Sequence, residues 1–476
     1  MNVQDSSKTG GYLKTFLGLT LLVQLTACVS HYPINNPIES IESIQRLSLE
    51  DKPDSRSDEL LLILTFSGGG TRAAAFAYGI LQTLADTQIV VDGQKRRLLD
   101  EVDAISSVSG GSFTAAYYGL FKDRIFEDFE TKFLKRNVQS ELTRRVISPG
   151  SWPKLASLYY DRSDLAADYY DELLFEHKTF QDFMNADSPL IAINATNIAL
   201  RSQFTFIGAE FMPICADLLS YPVSRAVTAS SAVPGAFSSI ILKNYAGTCG
   251  YQLPDWATKA LNDRQVNTRR YHLAKILSNY QDIEAQPYIH LLDGGISDNL
   301  GIRVIINLTY AEGDIWNKLK KLDLTQTRKL AIIAVNAQKG VDTSYTQRDF
   351  SIPIFDTLGA VGSIPLDQYS FETMEFLRYN MSRWQESITT GRCGDATSLT
   401  DANKRDKQDK APACAAQTYL IEVDFARLQD ASEREHLKQL HTTFHLEPSD
   451  VDRLKAAAQR ILADSAEFKK LVGDLQ

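Results

Sequence analysis

The segment Ser106-Ser107-Val108-Ser109-Gly110-Gly111-Ser112 sets a hydroxyl among small residues, between an apolar run and a helix-forming stretch. That is the setting of a serine nucleophile. A side chain on a sharp strand-to-helix turn projects out of the chain path, and its neighbours two positions away must be small, as in G-x-S-x-G. Here serine replaces the first glycine of that frame, so Ser107 and Ser112 stand as rival hydroxyls beside Ser109. Serine alone is a weak nucleophile and needs a base to take its proton and donors to hold the resulting oxyanion. The run Phe66-Ser67-Gly68-Gly69-Gly70-Thr71-Arg72 follows apolar Leu60–Leu64 and precedes a helical pattern through Phe76, Ile80 and Leu84. Exposed backbone N–H groups at a helix start bind anions. Neither Gly-Lys-Ser/Thr nor G-x-G-x-x-G is present, which excludes a phosphate-binding P-loop and a dinucleotide fingerprint and favours an oxyanion hole. A candidate carboxylate ends the apolar segment Leu291-Leu292-Asp293-Gly294-Gly295, although Asp-Gly-Gly by itself is a turn.

A fourth segment, Ala229-Ser230-Ser231-Ala232-Val233-Pro234-Gly235-Ala236-Phe237, lies between Ser109 and Asp293. In this order the four resemble the patatin-like phospholipase family of lipid acyl hydrolases, over a stretch from Leu60 to Val335. The resemblance implies Ser109 as nucleophile and Asp293 as its partner in a Ser-Asp dyad. It implies Gly68, Gly69 and Gly70 as oxyanion donors, with Arg72 alongside. The substrate it implies is an acyl ester of a membrane lipid. The family's glycine loop usually opens with Asp and carries Gly after its basic residue, where this chain has Ser67 and Ala73. An aspartate acting directly as base must be partly desolvated, because an ordinary carboxylate is too acidic for the task near neutral pH. Seven histidines, His31, His177, His272, His290, His436, His441 and His445, offer a triad in principle. None has a catalytic context, and His290, three residues before Asp293 on a strand, faces the opposite way. Interception of the acyl-enzyme by another alcohol would make the protein an acyltransferase. A third reading is a non-catalytic lipid-binding envelope lipoprotein, since fold does not fix function.

Lys8 and Lys14 precede an apolar run from Phe16 to Leu25, which describes a secretory signal too short for a span of about 20 residues. Leu25-Thr26-Ala27-Cys28 resembles the bacterial lipobox, which implies cleavage before Cys28, lipid on that cysteine and a membrane anchor through it. Val29 resembles the residue that follows in lipoproteins of the outer membrane, so the expected address is the bacterial envelope, facing the periplasm. Four further cysteines remain, Cys215, Cys249, Cys393 and Cys414, an even number in a disulfide-permissive compartment. Nearest-neighbour pairing gives Cys215–Cys249 and Cys393–Cys414, each worth about 3 kcal/mol, among three possible connectivities. No Cys/His spacing suggests zinc and nothing supports calcium, so neither metal nor cofactor is expected.

At 476 residues, with 44% hydrophobic and 23% charged residues, the chain has material for a large core. Its formal charge of -9 argues against nucleic acid and against a broad basic surface for anionic membranes. Residues 28–58, with Pro33, Pro37 and Pro53, read as a tether after a signal of residues 1–27. Apolar runs at Leu60–Phe66, Val102–Ile105, Leu190–Ile193, Tyr288–Leu292 and Leu330–Val335 then alternate with helical patterns through residue 340. Such alternation predicts an α/β fold, a mostly parallel sheet sandwiched by helices, with the site at the carboxyl ends of its strands. Residues 341–476 form an extension packed on this core. Within it Met374, Leu377, Met381, Trp384 and Ile388 make one apolar helix face, a core stripe or else a membrane-touching lid. Tyr419–Val423 reads as one more strand, and Ser449 and Asp452 open a final helix.

Overall fold

The computed structural model describes residues 34–41, 56–91, 93–157, 160–185, 187–340, 354–398 and 414–476. The signal segment, Cys28 and most of the tether lie outside these residues. The described residues form ten strands: β1 (Leu60–Phe66), β2 (Gln88–Val91), β3 (Gln94–Arg97), β4 (Val102–Val108), β5 (Leu190–Asn197), β6 (Ser202–Phe206), β7 (Ile240–Lys243), β8 (Tyr288–Asp293), β9 (Lys329–Asn336) and β10 (Gln417–Asp424). The helices that matter for the site are α1 (Gly70–Asp86), α2 (Gly110–Phe121), α3 (Val223–Ser230), α4 (Thr268–Tyr280), α5 (Arg303–Ala311), α6 (Ile354–Ser398) and α7 (Pro448–Asp464).

The main sheet runs β10-β9-β1-β4-β5-β8-β7, with β6 also on β5. From β10 through β5 every pair is parallel. Strands β1 and β4 are buried along their whole length, which is why, apart from Asp103, they read as apolar or small-residue runs instead of alternating. β8 runs the other way. It pairs antiparallel with β5 through Ala195, Thr196 and Asn197, whereas β4 occupies β5 only up to Asn194. Because β6 covers the opposite edge of β5 from Ile193 to Asn197, β4 and β8 share one edge and meet on it carboxyl end to carboxyl end. Asp293 falls at the carboxyl end of its strand, as expected, and arrives head-on because that strand is antiparallel to β5.

One face of the sheet packs against α1, α2, α3 and α7 in a core that includes Phe66, Phe76, Phe113, Val227 and Leu454. On the other face lie Ile302, Ile306 and Trp316 together with Leu377, Met381, Trp384 and Ile388 of α6. That stripe is core, and the lid reading falls away. The extension completes the domain, with β10 as an edge strand and α7 opening at Pro448, in the first turn where a missing N–H costs nothing. Disulfides join Cys215 to Cys249 and Cys393 to Cys414.

Candidate active site

Ser109 stands at the turn from β4 into α2 with φ 49° and ψ -119°. Positive φ is a strained setting for a residue with a Cβ, and such strain collects at functional sites. The glycines that follow make the turn possible. A methyl group on Gly110 would stand 2.0 Å from the Gly70 carbonyl oxygen, so the elbow and the glycine loop touch through backbone alone.

Head-on approach of β4 and β8 brings the Ser109 hydroxyl to 2.9 Å from Asp293 Oδ2, to which it donates. The other carboxylate oxygen accepts the Gly295 amide at 2.7 Å. Burial pushes the Asp293 carboxyl up to about 6, against the opposing pull of the Gly295 and Ser109 hydrogen bonds. No imidazole intervenes among the described residues: His290 is exposed on β8 and its Nδ1 lies 3.2 Å from Ser239 Oγ. The rival hydroxyls are engaged elsewhere. Ser107 Oγ donates to the Ala192 carbonyl at 3.4 Å, and Ser112 Oγ lies 3.0 Å from Ser230 Oγ.

The Ala229–Phe237 block supports Ser109 and Asp293 through backbone contacts. Ser230 Oγ accepts the Ser109 amide at 2.8 Å and donates to the Asn194 carbonyl at 2.6 Å. Its own carbonyl accepts the Gly294 amide, and that of Ala232 accepts the Asp293 amide, both at 3.0 Å. Small residues are needed there because backbone must reach backbone. Asn194 was visible in the sequence only as one of three Asn-x-Ser/Thr matches, with Asn307 and Asn380, and Ser230 only as part of a motif. Neither carried a signal for this buttressing role.

The glycine loop divides its labour. The Gly68 amide donates to the Asn299 carbonyl at 3.0 Å, so it is engaged within the protein. For the amides of Gly69 and Gly70 no acceptor is found among the described residues. Gly68 also presents no side chain to Ser109: a methyl group there would lie 3.3 Å from Ser109 Cβ and 2.5 Å from Asn299 Oδ1. Arg72 does not extend toward Ser109. Its guanidinium donates to the Ala337 carbonyl at 2.7 Å, to Thr442 Oγ1 at 3.1 Å and to the Leu440 carbonyl. Burial pushes it down to about 10, which leaves it charged at neutral pH. With the Thr71 amide donating to Thr443 O at 2.9 Å, Arg72 clamps the loop onto the C-terminal part of the chain.

A family model described as patatin-like phospholipase matches residues 64–306, slightly more than half of the chain. No curated protein matches it. Among solved structures, human GIVD cytosolic phospholipase A2 is similar at 12% identity and a TM-score of 0.46, over 90% of this chain and 64% of that one. The human protein in complex with methyl gamma-linolenyl fluorophosphonate gives 12% and 0.39, over 88% and 58%. VipD from Legionella pneumophila gives 11% and 0.30, over 88% and 67%. The chain therefore spans less than two thirds of the human enzyme's length.

Proposed function

The chain belongs to the patatin-like phospholipase family, and on that premise we propose that it cleaves acyl esters of membrane lipids with Ser109 as nucleophile and Asp293 as base. The observation that carries this reading is the direct 2.9 Å hydrogen bond from Ser109 Oγ to Asp293 Oδ2. As Oγ attacks the ester carbonyl, its proton passes to Oδ2. Collapse of the tetrahedral intermediate breaks the bond to the alcohol, which takes that proton and leaves an acyl-Ser109. Water, deprotonated by the same carboxylate, then releases the fatty acid. A carboxyl near 6 suits this work, because it is mostly ionised at neutral pH and yet far more basic than a solvated aspartate.

The oxyanion donors in this reading are the Gly69 and Gly70 amides at the positive end of α1. The sequence-based assignment changes for two residues: Gly68 is already bonded to Asn299 and Arg72 to Ala337, Leu440 and Thr442, so both position the loop. Attachment to the envelope through a lipidated Cys28 belongs to the same proposal and rests on the sequence of residues 8–28. Metabolic labelling with a radioactive fatty acid, lost in Cys28→Ser, checks it.

The test of the chemistry is fatty-acid release from mixed phospholipid micelles by wild type, Ser109→Ala and Asp293→Ala, each verified as folded. Both substitutions are expected to remove release. Persisting release from Ser109→Ala overturns the assignment, and acyl label moving to a second lipid instead of to water makes the protein a transferase.

A further inference from the structure

A cavity of about 670 Å³ lies between β6, α4, α5 and the first described side chains of α6. Neither Ser109 nor Asp293 lines it, but Ile296 and Ser297, three and four residues beyond Asp293, and Pro234 do, and Ser297 Oγ lies 2.8 Å from the same Thr196 hydroxyl that donates to the Asp293 backbone carbonyl. Its size and its mostly apolar wall, with Ile276, Leu277 and Leu308, suit a lipid-sized ligand. What distinguishes it is charge. Arg201, Arg269 and Arg303 all line it, in a chain of net charge -9, and among the described residues none of the three forms an ion pair with a carboxylate.

Two of these guanidiniums are held by aromatic faces. Arg303 lies 3.7 Å from the Tyr369 ring centroid and Arg269 4.4 Å from that of Phe376. Stacking fixes direction while leaving the N–H fork free, and Arg303 Nε is buried without a partner. The nearby Asp298 carboxylate accepts the backbone amides of Leu300 and Arg303 and acts on the Arg303 guanidinium through its charge, without forming an ion pair with it. Burial is the main cause that lowers the Arg303 pKa; the negative charges of Tyr369 and Asp298 oppose it, and the positive charge of Arg269 adds to it. Like charges gathered in one half-closed space favour the arrival of an anion. Glu210, the acid in the wall, is pushed up to about 8 by burial and so does not cancel them at neutral pH.

Resting on the hydrolase reading above, we infer that this cavity is the subsite for the phosphate end of the substrate, and that Arg269 and Arg303 select lipids of net negative headgroup over zwitterionic ones. Planar guanidiniums bind phosphate oxygens in pairs. A phosphatidylglycerol headgroup presents its phosphate charge alone, whereas a phosphatidylcholine headgroup brings a quaternary ammonium that the three arginines repel.

Binding is best read without turnover, on full-length Ser109→Ala, by the fluorescence of Trp256 in the cavity wall, with Trp256→Phe identifying that signal. Dihexanoyl phosphatidylglycerol is expected to bind at least about tenfold more tightly than dihexanoyl phosphatidylcholine, a difference of about 1.4 kcal/mol. In Arg269→Gln/Arg303→Gln that ratio should collapse toward one, and Arg303→Lys should keep most of it. If the double variant does not fold, the single Arg269→Gln must still lower the ratio severalfold. Equal affinity for the two lipids in the parent protein overturns the inference. So does inorganic phosphate binding as tightly as the anionic lipid, which makes this a site for the free ion. A protein that binds with this selectivity yet releases no fatty acid fails only the hydrolase reading. One that hydrolyses both lipids equally fails only the subsite.

Discussion

Two buried polar clusters lie within one strand's width of each other around β5, and they are built to opposite rules. Around Asn194, every hydrogen-bonding capacity of the side chain is used. Its Nδ2 donates to Ser106 Oγ and to the Ser107 carbonyl, both at 2.9 Å, while Oδ1 accepts from Gln203 at 2.7 Å and Thr205 at 2.8 Å. At the Ser109–Asp293 pair, one residue further along the same edge, Ser109 sits at positive φ and the carboxylate oxygens have one donor each. A fully satisfied polar cluster fixes the fold. An under-satisfied one stores reactivity, and the first is what holds the second in place, because Ser106 and Ser107 lead into the elbow and Ser230 links Asn194 to the Ser109 amide.

The comparison breaks most visibly if the dyad proves dispensable. Ser109→Ala and Asp293→Ala are each expected to lower kcat on the order of 10³-fold or more, and the double variant scarcely further, because the two groups act as one unit. Steady-state ester hydrolysis measures this, and additive losses would show that they act separately. For Asn194→Ala the expectation reverses: the loss is in stability, about 3 kcal/mol, since several buried groups lose their partners at once. Urea unfolding followed by circular dichroism reads it. A midpoint unchanged from wild type would deny the cluster its structural role.

These outcomes also mark what the sequence could disclose. The elbow was legible because its stereochemistry demands small residues at fixed offsets, and buried parallel strands announce themselves as apolar runs. β1 was read to the residue, and β4, β5, β8 and β9 to within a few. β6, β7 and the β2–β3 hairpin were missed, for Gln94–Arg97 is wholly polar and Ile240–Lys243 too short for a period to show. The direction of β8 was out of reach, since a strand's sense depends on its partner and not on its own side chains. Nor could spacing reveal the Asn194 cluster, whose members at 106, 107, 203, 205 and 230 are ordinary small or polar residues brought together by topology. The same holds for Gly68, whose amide is spent on a carbonyl 231 positions away, and for the arginines of α4 and α5, which no motif singles out.

A smaller effect separates charge from geometry at the dyad. Burial disfavours ionised Asp293, so its contribution to stability is fully present below the ordinary carboxylate value of 3.8 and lost as pH rises through about 6. Asp293→Asn should therefore be more stable than wild type at pH 7 by about 1–3 kcal/mol, with the difference vanishing toward pH 4. Activity runs the other way. Only the ionised carboxylate accepts the serine proton, so wild-type kcat/KM should fall about tenfold per pH unit once pH drops below about 6. Thermal unfolding at both pH values and a pH–rate profile check the pair of expectations. A variant less stable than wild type at pH 7 would show that Asp293 serves the fold as well as the chemistry.

The smallest expected effect falls on the residue that connects the two clusters. Ser107 takes the place of a glycine in the elbow frame and is fully buried, yet its hydroxyl turns to the Ala192 carbonyl at 3.4 Å, too long to contribute much. What the Asn194 cluster uses is the Ser107 backbone carbonyl, which alanine retains. Alanine also keeps the small volume required where β4 faces Phe66 of β1. Ser107→Ala is therefore expected to cost less than about 1 kcal/mol in stability and less than threefold in kcat, with fluorophosphonate labelling still at Ser109. Loss of labelling in a folded Ser107→Ala protein would transfer the nucleophile's role to Ser107. Retention shows that the hydroxyl at this crowded turn is tolerated because it turns to the Ala192 carbonyl and leaves Asp293 to Ser109.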